Sequence, residues 1–261
     1  MNTGALTAVI LTYNEAPNLR RTLERLRWVP HILVVDSFST DETLAIAATL
    51  PQVRVAQRQF DNHTAQWNFG LDQADSKWVL SLDADYLLSD ELVNELRALS
   101  PPDSVDAYAA PFRYHINGVA LHANLLPPRA ILFRRTRCRY VADGHTQLLK
   151  VEGETLQLRG WIYHDDRKPL SRWVWAQDRY ASLEAQKLLD LPLTQLSVAD
   201  RTRRSMVFGP VLVFFYTLLA RALVLNGWRG FFYVLQRTLA EILLALRLLE
   251  RRLGGGEGSG K

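Results

Sequence analysis

What the chain has little of narrows its chemistry first. It carries one cysteine, Cys138, in 261 residues. An intrachain disulfide framework is therefore excluded, and so is a zinc site built on cysteines. A reducing compartment fits that composition. Charge of one sign is scarce as well. Thirty-one Lys and Arg against 27 Asp and Glu leave a formal net charge of +4, too small an excess to argue for a nucleic-acid partner. No cleavable export signal is read at the N-terminus. Thr7–Thr12 (TAVILT) is apolar, but it has no basic region before it and no small-residue cleavage site after it. It reads instead as a buried first strand. No internal repeat is visible. Gly254–Lys261 (GGGEGSGK) is glycine-rich and polar and reads as a flexible tail outside the fold.

The chain is 48% apolar and 22% charged, the balance of a globular protein. Its length suits one α/β domain with a full core and a smaller C-terminal element. Strand and helix signals alternate over the first hundred residues. Thr7–Leu11, Ile32–Val35, Val53–Ala56 and Trp78–Leu82 read as strands. Asn18–Trp28, with leucines at 19, 23 and 26, reads as a helix, as do Asp41–Leu50 (capped at Ser39 or Thr40) and His63–Ala74. Strands joined by helix-length crossovers predict a mainly parallel sheet. Ligands of such sheets bind at the carboxyl ends of the strands. Thr12, Tyr13, Asn14 and Glu15 follow strand one there, Asp36 ends strand two, and Asp83 and Asp85 follow strand four. Further on, Tyr108–Tyr114, Ala130–Arg134 and Leu156–Tyr163 read as strands of a mixed extension, and Leu170–Leu189 as a helix.

Asp83-Ala84-Asp85, in SLDADY, is the sharpest local signal. Two carboxylates at the mouth of a buried strand suit a hard divalent ion that also holds diphosphate oxygens. A solvated loop pair or a helix cap is the plainer alternative. Asp36, in VVDSFSTDE, suits hydrogen bonds from a uracil or ribose, or equally a turn that bonds its own backbone. Asp41 reads as a helix cap.

In order and spacing, AVILTYNEAPNLRRTL (8–23), VVDSFSTDET (34–43) and AQWNFGLDQADSKWVLSLDAD (65–85) resemble the family 2 glycosyltransferases of GT-A fold, in particular bacterial enzymes that build lipopolysaccharide core or exopolysaccharide on lipid carriers. The resemblance implies an α/β, Rossmann-like nucleotide-sugar domain and a UDP-sugar donor. It implies that Glu15 and Asp36 hold the nucleoside, with Thr12, Tyr13, Asn14 and Asn68 around the donor. It implies Mg2+ or Mn2+ with the donor phosphates at Asp85 and Asp83, completed by His164. The relatives often carry a His-Glu pair after the acceptor-side strands. Here YVADGHTQLL (140–149) has Thr146 after His145, so Asp143 becomes the candidate base and His145 the runner-up. Arg167 and Lys168 are placed to steady phosphate or to be solvated. The reaction implied is a single, inverting displacement. Three rivals stand beside it. One is a polyprenyl-phosphate sugar synthase, which needs no strong base. Another is a nucleotidyltransferase, disfavoured because TYNEAPN is not a glycine-rich basic loop. The third is a non-enzymatic scaffold docked on a membrane.

The expected division is 1–195 for the catalytic domain, 196–253 for a C-terminal helical segment and 254–261 for the tail. Arg201, Arg203 and Arg204 precede the uncharged run Met206–Ala220, which is short of the about 20 residues that a span needs. Gly230–Leu253 is amphipathic, with apolar residues at 231, 235, 239, 242, 246, 249 and 253. Arginines beside an apolar run predict an interfacial or re-entrant element on the cytoplasmic face of a bacterial inner membrane. A helical hairpin packed on the chain itself or on a second subunit is the alternative, and a homo-oligomer is left open. The partners expected are the nucleotide-sugar donor, a lipid-linked glycan acceptor and the membrane surface.

Overall fold

A computed structural model of the protein describes residues 6–143, 146–206 and 208–254, apart from the side chains of Asp143 and Thr146. His145 and most of the glycine-rich tail lie outside the described residues. The chain divides into two compact units. One is Met1–Ala120 with Leu125–Lys168; the other is Leu121–Asn124 with Pro169–Lys261.

The first unit is built on β1 (Leu6–Thr12), β2 (His31–Asp36), β3 (Val53–Gln57) and β4 (Trp78–Asp83), linked through α1 (Ala16–Arg25), α2 (Thr43–Ala47) and α3 (His63–Gln73). β5 (Tyr86–Leu88) and α4 (Asp90–Ala98) follow. Then come β6 (Val105–Ala110), β7 (Phe112–Ile116), β8 (Val119–Ala120), β9 (Arg129–Arg134), β10 (Cys138–Asp143), β11 (Thr146–Val151), β12 (Glu154–Gln157) and β13 (Ile162–His164). The main sheet runs β12-β6-β9-β4-β1-β2-β3. β1 to β4 are mutually parallel, and β9 is antiparallel to both β4 and β6. The sheet is therefore mixed, as the sequence predicts.

Burial explains why these segments are strands. β1 and β2 are β-branched and apolar and are covered on both faces. Alternate residues serve opposite layers. Ala8, Ile10 and Val34 pack with Leu19, Leu23, Ile46 and Leu92 on one side. Val9, Leu33 and Val35 pack with Trp67 and Leu71 of α3 on the other. Gly70 lets α3 sit close, because a Cβ there would lie 2.7 Å from Val9.

Several boundaries differ from the sequence reading. Tyr108–Tyr114 is two strands, β6 and β7, separated by Pro111, whose missing N–H breaks the ladder. Leu156–Tyr163 is also two strands, and they belong to different sheets. α2 is only Thr43–Ala47, because the preceding residues are spent on a hydrogen-bonded loop.

The second unit holds α5 (Leu170–Asp190), α6 (Val198–Arg204), α7 (Phe208–Phe215), a π-helical turn (Tyr216–Ala220), a 3-10 turn (Leu223–Asn226) and α8 (Gly227–Gly254). Its boundary falls at Lys168, so α5 groups with the C-terminal helices. The reason is packing: Ala181, Ala185 and Leu188 of α5 meet Leu244 and Leu248 of α8. The Asp178 carboxylate accepts two hydrogen bonds from Arg247, at 2.9 and 2.6 Å. Among the described residues no single helix is long and apolar enough to cross a membrane. Phe208–Ala220 and Leu223–Gly254 pass that test only as a pair, bent by 70° at the break between them.

Candidate active site

The parallel register sets the site. Thr12 pairs with Asp36 and Leu11 with Asp83, so β1, β2 and β4 end at one level. Beyond that level the chain makes two interlocked loops. Asn14 lies in the left-handed region at φ 54°, which asparagine tolerates, and Phe38 at φ 59°, which it does not favour. Asn14 N donates to Ser39 Oγ at 2.8 Å, and its side-chain oxygen accepts from Thr40 N at 2.8 Å. Glu15 N donates to Thr43 Oγ1. Asp41 accepts from Thr43 N and from Ala16 N, the first residue of α1. Asp41 thus serves the first N–H groups of α1 and α2, although the N-cap positions are Glu15 and Glu42 and not Ser39 or Thr40.

Asp36 is fully buried. Its oxygens accept from Thr12 Oγ1 (2.9 Å), Ser39 N (2.9 Å), Ser39 Oγ (2.5 Å) and Gln57 Nε2 (3.1 Å). Four donors fill both oxygens, so a nucleoside reaches this carboxylate only by replacing one of them. Tyr13, by contrast, is exposed at the same rim. Asn68 is occupied elsewhere. Its amide nitrogen donates to Tyr140 O at 3.0 Å, and its oxygen accepts from Tyr140 N at 3.1 Å. Both polar atoms thus tie α3 to β10, so the residue expected near the donor also bridges a helix to a strand. The backbone of Asp143 ends β10, opposite Thr146 of β11.

Glu15, Asp85, His164 and Lys168 converge. β13 pairs with β5, setting His164 beside Tyr86, and His164 Nε2 lies 3.2 Å from Asp85 Oδ2. Lys168 Nζ reaches Glu15 Oε1 at 2.5 Å and Asp166 Oδ1 at 3.6 Å. Asn18, wholly buried in the first turns of α1, donates to Glu15 Oε2 (2.9 Å) and Asp166 Oδ1 (2.8 Å). Its oxygen accepts from Arg167 N and from Arg21. Asp165 is buried under Arg21 and Arg167, at 2.9 and 2.8 Å. The segment His164–Lys168 is thus bolted to the start of α1, about 150 residues away in sequence.

The electrostatics follow from burying several charged groups together. Burial pushes the Glu15 carboxyl up from 4.5 to about 7, and Asp85 adds to that, although Lys168 pulls it down. Burial also works to raise the Asp85 carboxyl, but the adjoining His164 and then Lys168 outweigh it and hold Asp85 at about 2. Burial opposes charge on His164, yet Asp85 keeps it above its usual value. Lys168 is likewise held up by Asp85, Glu15 and Asp166 against its own burial. Three carboxylates share one ammonium, so Lys168 stays charged while Glu15 is the group that can take a proton near neutrality.

Of the three expected metal ligands, Asp85 and His164 meet and Asp83 points elsewhere. Asp85 turns inward to His164, whereas Asp83, two residues earlier at the strand end, has its carboxylate 4.0 Å from Arg129 of β9. Among the described residues no group of three or more His, Cys, Asp and Glu side chains is arranged to hold a metal. One observation nonetheless fits a cation. Asp85 Oδ1 is buried with no hydrogen-bond partner, as is His164 Nδ1. A lone buried carboxylate oxygen in a carboxylate-rich site is a hard-ion ligand whose other ligands a diphosphate can supply.

Asn18, Arg21, Asp165 and Asp166 were not singled out from sequence. For Asp165 and Asp166 the run DDRK after His164 is the available signal, since four consecutive charged residues after a strand are more than a solvated turn needs.

The family profile described as "Glycosyl transferase family 2" matches residues 7–146, more than half of the chain. A lipopolysaccharide core biosynthesis glycosyltransferase, LpsC of Rhizobium meliloti, is 24% identical over 94% of this chain and 92% of its own length. An uncharacterized glycosyltransferase of Rickettsia prowazekii is 30% identical, over 70% of this chain and 68% of its own length. One from Rickettsia felis is 34% identical over 48% of this chain, and the match spans 43% of that protein. Among solved structures, Staphylococcus aureus TarS 1-349 in complex with UDP-GlcNAc aligns over 95% of this chain and 92% of its own, at 16% identity and a TM-score of 0.48. With its strand-end motifs and a profile match across most of the first unit, the chain belongs to glycosyl transferase family 2.

Proposed function

We propose that this protein is an inverting glycosyltransferase. It moves a sugar from a nucleoside-diphosphate donor, read as a UDP-sugar, to a lipid-linked glycan of bacterial surface polysaccharide or lipopolysaccharide. One observation carries the reading: in a family 2 chain, Glu15, Asp85, His164 and Lys168 converge at the carboxyl ends of β1 and β4. The name of the Rhizobium meliloti relative supports the lipopolysaccharide direction.

The acceptor hydroxyl oxygen bonds to the anomeric carbon as the bond from that carbon to the diphosphate oxygen breaks. The hydroxyl proton passes to a carboxylate, for which Asp143 is the candidate. Lys168 offers a fixed positive charge to the departing diphosphate, and Glu15, protonated or ionised, offers a hydrogen bond to the nucleoside. Asp36 acts through the loop it organises, holding Thr12 and Ser39 in place. Asp85, supported by His164, would hold Mg2+ or Mn2+, which supplies further neutralisation of diphosphate charge when bound. Burial of the cluster keeps water from competing for the donor.

A long lipid leaves the bilayer only at great cost, so its glycan must be met at the surface. α7 and the π turn expose Phe208, Val211, Leu212, Phe215, Tyr216 and Leu219 along one side, with no charge among them. This face supports interfacial or re-entrant docking on the cytoplasmic side of the inner membrane.

The test is a panel of nucleotide sugars assayed for nucleoside-diphosphate release by the full chain, with and without chelator. Release from one donor, lost in Asp85→Ala and in excess chelator, is expected. In the same assay Asp143→Asn should keep donor affinity and lose most turnover. Undiminished release in chelator would sink the metal, and no release from any donor would sink the transferase reading.

A further inference from the structure

α8 has two apolar faces, and its own unit covers only one. Tyr233, Val234, Leu244 and Leu248 are buried. On the other side, from Trp228 to Leu253, every residue reached by alternating steps of four and three is large and apolar. All of them but Leu239 are at least 40% exposed, Trp228 at 86% and Leu253 at 76%. Steps of four and three are a heptad, the spacing at which one helix packs along another. The stripe follows the whole helix, about 42 Å at 1.5 Å per residue.

We propose that this stripe docks a second copy of the chain, as an antiparallel helix pair about a two-fold axis between Ala240 and Glu241. In that register Trp228 meets the partner's Leu253, Phe232 meets the partner's Leu249, Leu235 the partner's Leu246, and Leu239 the partner's Ile242. Every layer is apolar, and the two-fold repeats each contact.

The charges beside the stripe select the orientation. Antiparallel pairing puts Arg229 opposite the partner's Glu250, and Glu250 opposite the partner's Arg229, giving two ion pairs. The other flanks bring Gln236 to the partner's Leu243, Thr238 to the partner's Ala245 and Phe231 to the partner's Arg252, with no like charges facing. A parallel pair instead sets Phe231 by Gln236, Thr238 by Leu243 and Ala245 by Glu250, and makes no ion pair. Arg229 is exposed, and the Glu250 side chain is 64% exposed although it accepts one bond from Arg247. The groove lined by Asp178, Leu243, Leu246, Arg247 and Glu250 lies along this edge, where the partner's Leu235 and Gln236 would enter. A bilayer has no use for matched charges at the two ends of a heptad. The inference is independent of the catalytic reading.

The test is the mass of the full chain by light scattering in detergent-free buffer at micromolar concentration. A dimer is expected, and Leu246→Glu, which puts a charge into two layers, should be monomeric with unchanged helical circular dichroism. Because that variant perturbs packing, charge reversal is the sharper arm. Arg229→Glu and Glu250→Arg should each weaken the dimer about fivefold to tenfold, and the double reversal should restore it. Orientation is read by oxidation. Leu235→Cys alone should not cross-link, because the two cysteines stand eleven residues apart along the pair, about 16 Å. Leu235→Cys with Leu246→Cys should cross-link, and the native Cys138 is buried and does not interfere. A monomeric full chain, a double reversal that fails to restore the dimer, or a cross-link from Leu235→Cys alone overturns the proposal. So does a full chain dispersed only by detergent whose vesicle flotation is abolished by Leu246→Glu, since lipid would then occupy the stripe.

Discussion

Replacing Glu15 by glutamine isolates the cost of burying its charge. The carboxyl titrates at 4.5 in the open chain and at about 7 when folded, chiefly because it is buried. The difference, 7 − 4.5 = 2.5, multiplied by about 1.4 kcal/mol per pH unit, comes to about 3.5 kcal/mol for keeping Glu15 ionised in the folded chain. The folded value lies above the unfolded one. The folded chain therefore binds more protons in that window, and stability falls as pH rises through it. Glutamine has no such slope. It keeps an oxygen for Lys168 but sets an amide against the Asn18 amide that now donates to Glu15, losing about 1 kcal/mol at every pH. Wild type should therefore be the more stable at about pH 5, and Glu15→Gln should gain about 2–3 kcal/mol relative to it by about pH 8. Urea denaturation across that range measures the difference. His164, held above its usual value by Asp85, is present in both proteins and largely cancels. Asp85, at about 2, lies well below the range. A stability difference that is flat with pH would refute the account of Glu15 as the protonatable member of the cluster.

Asn68→Ala should lose about 1–3 kcal/mol of stability, because it strips both hydrogen bonds from Tyr140, while donor affinity measured by calorimetry stays unchanged. A fall in donor affinity without a fall in stability would place Asn68 in the donor site. Full-length protein should float with anionic vesicles at low salt and less so at high salt, and Phe215→Ser with Leu219→Ser should abolish flotation. Flotation that ignores those two exposed residues would remove α7 as the docking face.

The central strands were readable because β1, β2 and β4 are buried on both faces and are almost wholly apolar along their length. Helix α4 was passed over although its signals are present: Ser89 caps Leu92 N, with Asp90 and Glu91 in the first turn. The pairing of β10 with β11 was also missed, because it depends on a partner strand and leaves only weak alternation in each. For the site, the positions of Glu15, Asp36, Asp83 and Asp85 at strand ends follow from where apolar runs stop. What each carboxylate does there does not follow. Asp36 and Asp41 look alike in VVDSFSTDE, yet one is sealed under four donors and the other caps α1 and α2 from the surface.

By itself the amino-acid sequence determined the parallel half of the sheet, the level at which its strands end and the family of the chain. These rest on apolar periodicity and short motifs, which are local in sequence. Only the tertiary structure decided which side chains share the site. Asn18 and Asp166 lie 148 residues apart and touch at 2.8 Å. Asp83 and Asp85 are two residues apart, yet they face Arg129 and His164 on different strands. Likewise the stripe on α8 is a spacing that sequence displays, but which of its two apolar faces is left uncovered depends on α5 packing against the other. Charge sharing and exposure belong to pairs of surfaces brought together by the fold, and no stretch of sequence contains both members of such a pair.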